Sequence, residues 1–374
     1  MFLAIRDIRF AKGRFALMGG VVALITLLLV MLSGLTAGLG NQSTSSISQL
    51  GAVHDGATTD PVDAIAFGAT GNGDPKASFT ESSITAGQVR SWAQRDGVAR
   101  AEALGISQTR LQAGNADTAG GTTNVAVFGV APTGQLAPAP VSKDTVVLSR
   151  TAAEDLEVST GDTVTLGGSE LTVGDVVDDQ WYSHTSVVWT ALPTWSAIAH
   201  LTDPDQVGTV AAITYDQDAA VDEAAANEAA DTVSTSRTGA FQALASYQSE
   251  NGSLLMMQAF LYGISALVIV AFLTVWTVQR TRDIAVLKAL GGSGRYILRD
   301  AITQAAIVLL VGAGIGGAVG IAGGFFAAQA APFLVNIQTT LLPILGIVAL
   351  GLAGSALAVR RTTKVDALIA LGGN

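Results

Sequence analysis

The sequence predicts a membrane protein with four transmembrane α-helices and a large mixed α+β extracytoplasmic domain inserted between spans one and two. Three observations predict it. Leu254 to Gln279 carries no charge in 26 residues, and Ala301 to Val359 carries none in 59. A helix needs about 20 apolar residues to cross the hydrocarbon core, so the first tract fits one crossing and the second fits two joined by a turn. The third observation is how charge is shared out. Residues 1–14, 280–300 and 360–374 together hold 12 basic and 4 acidic residues, whereas residues 41–253 hold 8 basic and 26 acidic. Short basic loops stay in the cytosol, which sends the acidic segment outside and leaves both termini cytosolic. The expected location is the cell membrane, with a multi-pass chain in the lipid bilayer. Because the basic residues flank spans, they argue against nucleic-acid binding.

Residues 1–14 place Phe2, Leu3, Ile5, Ile8 and Phe10 among Arg6, Arg9, Lys12 and Arg14, the pattern of an amphipathic helix on the inner membrane surface. The first span, 15–39, is longer than the apolar region of a secretory signal, so an uncleaved anchor is expected. The extracytoplasmic domain, 41–250, has strand-like runs at Ala64–Phe67, Asn124–Val130, Thr145–Leu148, Thr163–Leu166, Leu171–Val177 and Ser186–Trp189, bounded by turn signals. Helical patterns lie at Ala86–Gln94, Ala152–Leu156 and Ala219 to about Ala245. The last is expected to run on towards the second span, 254–279. A cytosolic loop, 280–300, leads to the third span, 301–328. Pro332, Asn336, Gln338 and Pro343 mark the turn into the fourth, 339–359, and a cytosolic tail fills 360–374. Gly312, Gly316, Gly320 and Gly324 recur every four residues, which lets another helix approach closely. That helix belongs to the same subunit or to a second copy.

Several chemistries are missing from the sequence. There is no cysteine, hence no disulfide and no thiol chemistry. No G-x-x-x-x-G-K-[ST] loop occurs; Gly291-Gly292-Ser293-Gly294 lacks the lysine and reads as the end of a helix. His54, His184 and His200 show no metal-ligand spacing, and Asp175, Asp178 and Asp179 read as a solvated turn. No serine sits in a nucleophile-elbow sequence. No Asp, Glu, Lys, Arg or His falls inside a span to relay protons. The chain shows no enzyme motif, and any work it does is expected to be powered by a partner.

Three stretches carry a resemblance. They are IRDIRFAKGRFALMGG entering span one, QRTRDIAVLKALGGSGRYILRD between spans two and three, and the tail RRTTKVDALIALGG. Together with VVLSRTAAEDLEVSTGDTVTLGGSELTVGDVV in the inserted domain, they resemble the FtsX/macrolide-exporter class of ATP-binding-cassette permeases over essentially the whole chain. A four-span chain without a fused ATPase is most similar to the heme-exporter permeases of that class. The resemblance implies a homodimer of this permease bound to two copies of a separate ABC ATPase subunit, which binds the ATP. Closure of the ATPases then drives the spans and the outer domain by mechanotransmission. It also implies a coupling helix at about 283–290, with Arg282, Asp283, Ile284, Leu287, Lys288, Leu290 and Gly291 as the partner-binding residues. Ile284, Leu287 and Leu290 fall on one face at helical spacing, suited either to a partner's groove or to lying on lipid headgroups.

The cargo that the resemblance implies is heme, a transported ligand and not a permanently bound cofactor. Heme asks for an apolar slot and a possible iron ligand. The candidate substrate-binding residues are Met31, Met256, Met257 and Tyr262 towards the outer leaflet, with Met18 also in a span. Each has an ordinary alternative role, as a gap-filling methionine or an interfacial tyrosine. Two other functions fit the same architecture. One is a non-transporting FtsX-like transducer that regulates a cell-wall hydrolase. The other is export of an antimicrobial peptide or lipid-linked molecule.

Overall fold

The element order follows the chain. Helix α1 (Lys12–Ser48) is followed by strands β1 (Val53–His54), β2 (Ala57–Thr58), β3 (Ala64–Phe67) and β4 (Ile84–Thr85), helix α2 (Ala86–Ala93), and strands β5 (Val98–Ala113), β6 (Thr122–Val130) and β7 (Thr145–Ser149). Next come α3 (Arg150–Leu156), β8 (Thr163–Leu166), β9 (Ser169–Val177), β10 (Trp181–Tyr182), β11 (Thr185–Ala191), α4 (Leu192–Ile198), β12 (Gln206–Gly208), β13 (Val210–Tyr215), α5 (Glu223–Ala230) and β14 (Val233–Ser236). A 3-10 turn at Gly239–Ala243 leads to α6 (Ala245–Gln279), α7 (Gly294–Ala327) and α8 (Ile337–Thr362). The computed structural model describes residues 12–54, 57–71, 73–114, 120–201, 203–217, 219–279 and 294–362. The chain divides into two units, residues 40–250 and residues 1–39 with 251–374.

The inserted unit is built on a ten-stranded mixed sheet in the order β10-β11-β7-β9-β8-β5-β13-β3-β14, with β6 pairing both β11 and β5. Its spine is β5, whose 16 residues pair antiparallel with β13 at one end and with β6 and β8 at the other. No helical or strand run is expected over Val98–Ala113 from its mixture of Ala, Arg, Glu and Gln; three partner strands impose the extended form on it. Tertiary pairing of this kind outweighs intrinsic preference. The main core gathers Phe67, Leu104, Phe128 and Trp189 around Ile47 and Leu50, from the end of α1 and just beyond it, and Leu244, from just before α6. Phe67, Phe79, Tyr182, Phe128 and Trp189 form a chain of edge-to-face ring contacts at 5.1–5.9 Å, the geometry aromatic quadrupoles prefer.

One expectation fails here. The stretch Ala219 to Ala245 is not a single helix running to the membrane. Helix α5 ends at Asp231, which adopts a left-handed conformation, and Val233–Ser236 then pairs with the free edge of β3. The β-branched Thr232, Val233 and Thr235 suit a strand, and the sheet edge supplies its partner. The helix that enters the second apolar tract begins afresh at Ala245.

The four helices α1, α6, α7 and α8 are the ones, among the described residues, long and apolar enough to cross a membrane. Their core joins Val22 and Leu29 of α1, Ile269 of α6, Leu309 and Ala313 of α7 and Ile347 of α8. Gly312, Gly316 and Gly320 of the α7 stripe pack on α1 of the same chain, and Gly324 faces Phe333. A Cβ on Gly312 would stand 2.7 Å from the Gly19 carbonyl oxygen, and one on Gly316 2.1 Å from that of Ala23. The turn before α8 uses the same device on α1: a Cβ on Gly38 would meet the Pro332 carbonyl oxygen at 2.0 Å, and the Leu334 N–H donates to the Gly34 carbonyl at 3.1 Å. The turn is shorter than expected. Gln338 and Pro343 lie inside α8, because Asn336 and Thr339 cap each other's backbone N–H groups at 3.0 and 2.8 Å and start the helix early.

Candidate functional site

Arg282, Asp283, Ile284, Leu287, Lys288, Leu290 and Gly291 lie outside the described residues, as do residues 1–11 and 363–374. The candidate cargo residues are described, and they point in different directions. Tyr262 of α6 lies against Gly346 of α8, where a Cβ would be 3.0 Å from its ring. Met31 of α1 lies against Gly323 of α7, with its sulfur 3.5 Å from the corresponding point. Met256 and Met257 are exposed on α6. Within one chain no hydrogen bond or ring contact joins any two of the four. Met18 is buried in the helix core and fills space there. Near the same end of the bundle, Gln258 Nε2 donates to Thr36 Oγ1 at 3.1 Å, a polar tie between α6 and α1.

A second constellation is one that sequence reasoning misses. Helix α1 does not stop at residue 39, where the apolar span was expected to end, but continues to Ser48. The added residues are polar, yet Ser43, Ser45, Ser46 and Ile47 are buried, because the inserted unit packs around them. Ser45 Oγ accepts the Trp181 N–H at 2.8 Å. The hairpin β10–β11 turns at Ser183 and His184, both left-handed at φ 47° and 63°, the type I′ pattern of a two-residue hairpin loop. This turn presents its own N–H groups to the carbonyls of α1: Ser183 to Ser43 at 3.1 Å and His184 to Gln42 at 2.9 Å.

His184 then closes a clasp. Its Nε2 lies 2.8 Å from Glu250 Oε2 of α6 and 3.1 Å from Ser43 Oγ of α1. Ser183 Oγ reaches Ser246 Oγ of α6 at 3.2 Å. A Ser, a His and a Glu therefore meet, but both partners share one ring nitrogen. A nucleophilic relay needs the two nitrogens on different partners, so the arrangement fastens two helices and does not activate the serine. Among the described residues no three His, Asp or Glu side chains could hold a metal ion. The acidic run is spent locally, with Asp178 on Arg150 at 2.6 Å and Asp179 accepting the Thr151 N–H at the start of α3 at 2.8 Å.

Comparison with known proteins agrees with this two-part organisation. Residues 15–232 match the MacB-like periplasmic core domain and residues 255–367 match the FtsX-like permease C-terminal family. A candidate hemin transport system permease protein HrtB of Staphylococcus haemolyticus is 26% identical over 100% of this chain and 99% of its own length. Its counterparts from two strains of Staphylococcus epidermidis are 31% identical over 130 residues, a match spanning 35% of this chain and 37% of theirs. Among solved structures, the periplasmic region of MacB from Actinobacillus actinomycetemcomitans is similar at 13% identity and a TM-score of 0.34, covering 48% of this chain and 91% of that one. The extracellular domain of the noncanonic ABC-type transporter YknZ from Gram-positive bacteria is similar at 13% identity and the same score, covering 47% and 98%. With one model spanning more than half of its residues and a second taking up the apolar helices that follow, the chain belongs to the FtsX/MacB-type permeases of ATP-binding-cassette transporters.

Proposed function

We propose that this chain is the permease subunit of an ATP-driven exporter of heme or a similar hydrophobic molecule, working by mechanotransmission. The observation that carries the mechanical part is the pair of unbroken helices, α1 of 37 residues and α6 of 35. Each runs from a charge-free apolar stretch into the inserted unit, where the 183–184 turn and the His184–Glu250 pair fasten them. Residues 1–374 hold no nucleotide-binding loop and no charge within the spans, so in this reading the force comes from a partner. The family to which it belongs implies an ATPase partner. In this reading two ATPase copies dock on loop 280–300 of a permease homodimer, the termini face the cytosol, and the apolar face Ile284, Leu287 and Leu290 seats in the ATPase.

Heme as cargo rests on the relatives described as hemin permeases. Met256 and Met257, exposed on α6, with Met31 and Tyr262 are the proposed cargo contacts, brought together where two subunits meet. The test is co-reconstitution of the permease with its ATPase in proteoliposomes. Hemin should raise the ATPase rate and give a Soret band with the permease. Ile284→Asp/Leu287→Asp/Leu290→Asp should abolish the stimulation while leaving the Soret band in place. If hemin gives neither response, heme is not the cargo. If Met31, Met256, Met257 and Tyr262 are all replaced and hemin still binds as tightly, the site lies elsewhere.

A further inference from the structure

The inserted unit holds a cavity of about 650 Å³, within the range of small-molecule sites. Its walls are the rings of Phe79, Tyr182 and Trp195, with Leu201 and Leu244 beside them. No Asp, Glu, Lys, Arg or His is among the lining residues, although the surrounding unit is strongly acidic. The polar groups offered are neutral hydroxyls and amides. One of them is poised for a ligand. Tyr182 is only 7% exposed, its ring held edge-on by Phe79 and Phe128 at 5.9 and 5.5 Å, and its hydroxyl, which faces the cavity, makes no hydrogen bond among the described residues. In the same wall, Trp195 Nε1 and Ser107 Oγ are buried without partners. Buried polar groups are rarely left unpaired, because each one costs the desolvation it underwent.

We propose that this cavity is a binding site for an uncharged amphiphile, a molecule with an apolar body and a hydroxyl, carbonyl or ether oxygen that pairs with the Tyr182 hydroxyl. The class follows from the walls. A carboxylate or ammonium group placed here would find no counter-charge among the lining residues, and the acidic unit around it repels anions at long range. Heme, with two carboxylates, does not belong to that class, so this site is distinct from the cargo contacts proposed in the membrane helices. The aromatic walls supply the contact area for the apolar body. A bound molecule also touches Ser183 of the clasp turn and Ala245 and Ser246, which open α6. Occupancy is thereby registered where the two long helices are fastened.

The test uses the full-length protein in phospholipid nanodiscs and the neutral photolabel 3-azioctanol, with adducts mapped by mass spectrometry. Saturable labelling of the Phe79, Tyr182 and Ser246 peptides, competed by 1-octanol, is expected. Tyr182→Phe keeps the ring and removes the hydroxyl, and should weaken half-saturation by roughly three- to tenfold, as loss of one hydrogen bond does. Leu201→Trp, which fills the cavity, should abolish the labelling, and Ala199→Met serves the same purpose if the larger change prevents folding. Labelling confined to the membrane helices overturns the proposal. So does labelling that rises without saturation, or a Tyr182→Phe curve that matches the parent. Equal labelling by the carboxylate analogue of the probe overturns the assignment to uncharged ligands.

Discussion

The two units of this chain solve the same packing problem with opposite residues. The inserted unit buries large side chains, among them Trp92, Trp189, Trp195, Phe67 and Phe128, on and against a hydrogen-bonded sheet. The membrane helices bring backbones together by leaving side chains out, with Gly312 and Gly316 of α7 against Gly19 and Ala23 of α1. The solvent explains the difference. In water, burying an aromatic ring is itself favourable. In lipid, a leucine gains little by moving from acyl chain to helix interface, so close van der Waals fit remains as the driving force. Stability in one unit is filled volume; in the other it is vacated volume.

The largest expected break comes from filling the vacated volume. Gly316→Leu should drive α7 off α1 and leave the protein aggregated on size-exclusion chromatography, whereas Gly314→Leu, whose side chain would meet open space, should run as the parent does. Removing volume from the other unit should also be severe: Phe128→Ala should cost about 3–5 kcal/mol, read from denaturant unfolding of the inserted unit. If Phe128→Ala proves mild and Gly314→Leu disruptive, the contrast between the units is wrong.

A smaller effect separates the units by pH. Burial pushes the Tyr182 hydroxyl above the ordinary phenol range. A group whose folded-state pKa is raised keeps its proton longer in the folded protein, so its contribution is complete below the unfolded value near 10 and is lost as pH rises beyond it. The melting temperature of the inserted unit should therefore fall above about pH 10, and Tyr182→Phe should flatten that fall. Tyr215, raised by burial and then by Glu223, will keep part of the slope. The smallest effect concerns the clasp. Ser183→Asn with His184→Gly gives the turn its preferred residues and deletes the contacts to Ser43 and Glu250. Because His184 and Glu250 are partly exposed, the melting temperature should change by no more than about 1 kcal/mol would cause, while cargo-stimulated ATPase of the reconstituted complex should drop.

Much of the fold is legible in the sequence because it rests on local pattern. The charge-free tracts announce the apolar helices, and Ala64–Phe67 and Thr163–Leu166 are strands over those same residues. What is illegible depends on distant partners. Asn41 to Ser48 lies past the end of the apolar span and is helix because the inserted unit surrounds it. Val233–Ser236 hides inside an alanine-rich run and is a strand because β3 has an edge to offer. The clasp joins residues 141 and 66 positions apart, and no spacing rule finds it. The glycine stripe is legible as a contact but not as a contact with α1 in particular, since its partner helix lies nearly three hundred residues away in the chain.

The position of β3 also bears on how the protein is made. This strand, among the first to leave the membrane, sits between β13 and β14, which come from the end of the inserted segment. A nascent chain translocated only as far as residue 200 presents β3 with both edges open and the main core without Leu244. Unpaired strand edges invite association with other chains. The sheet and core of the inserted unit can therefore be completed only once β14 and Leu244 have been made.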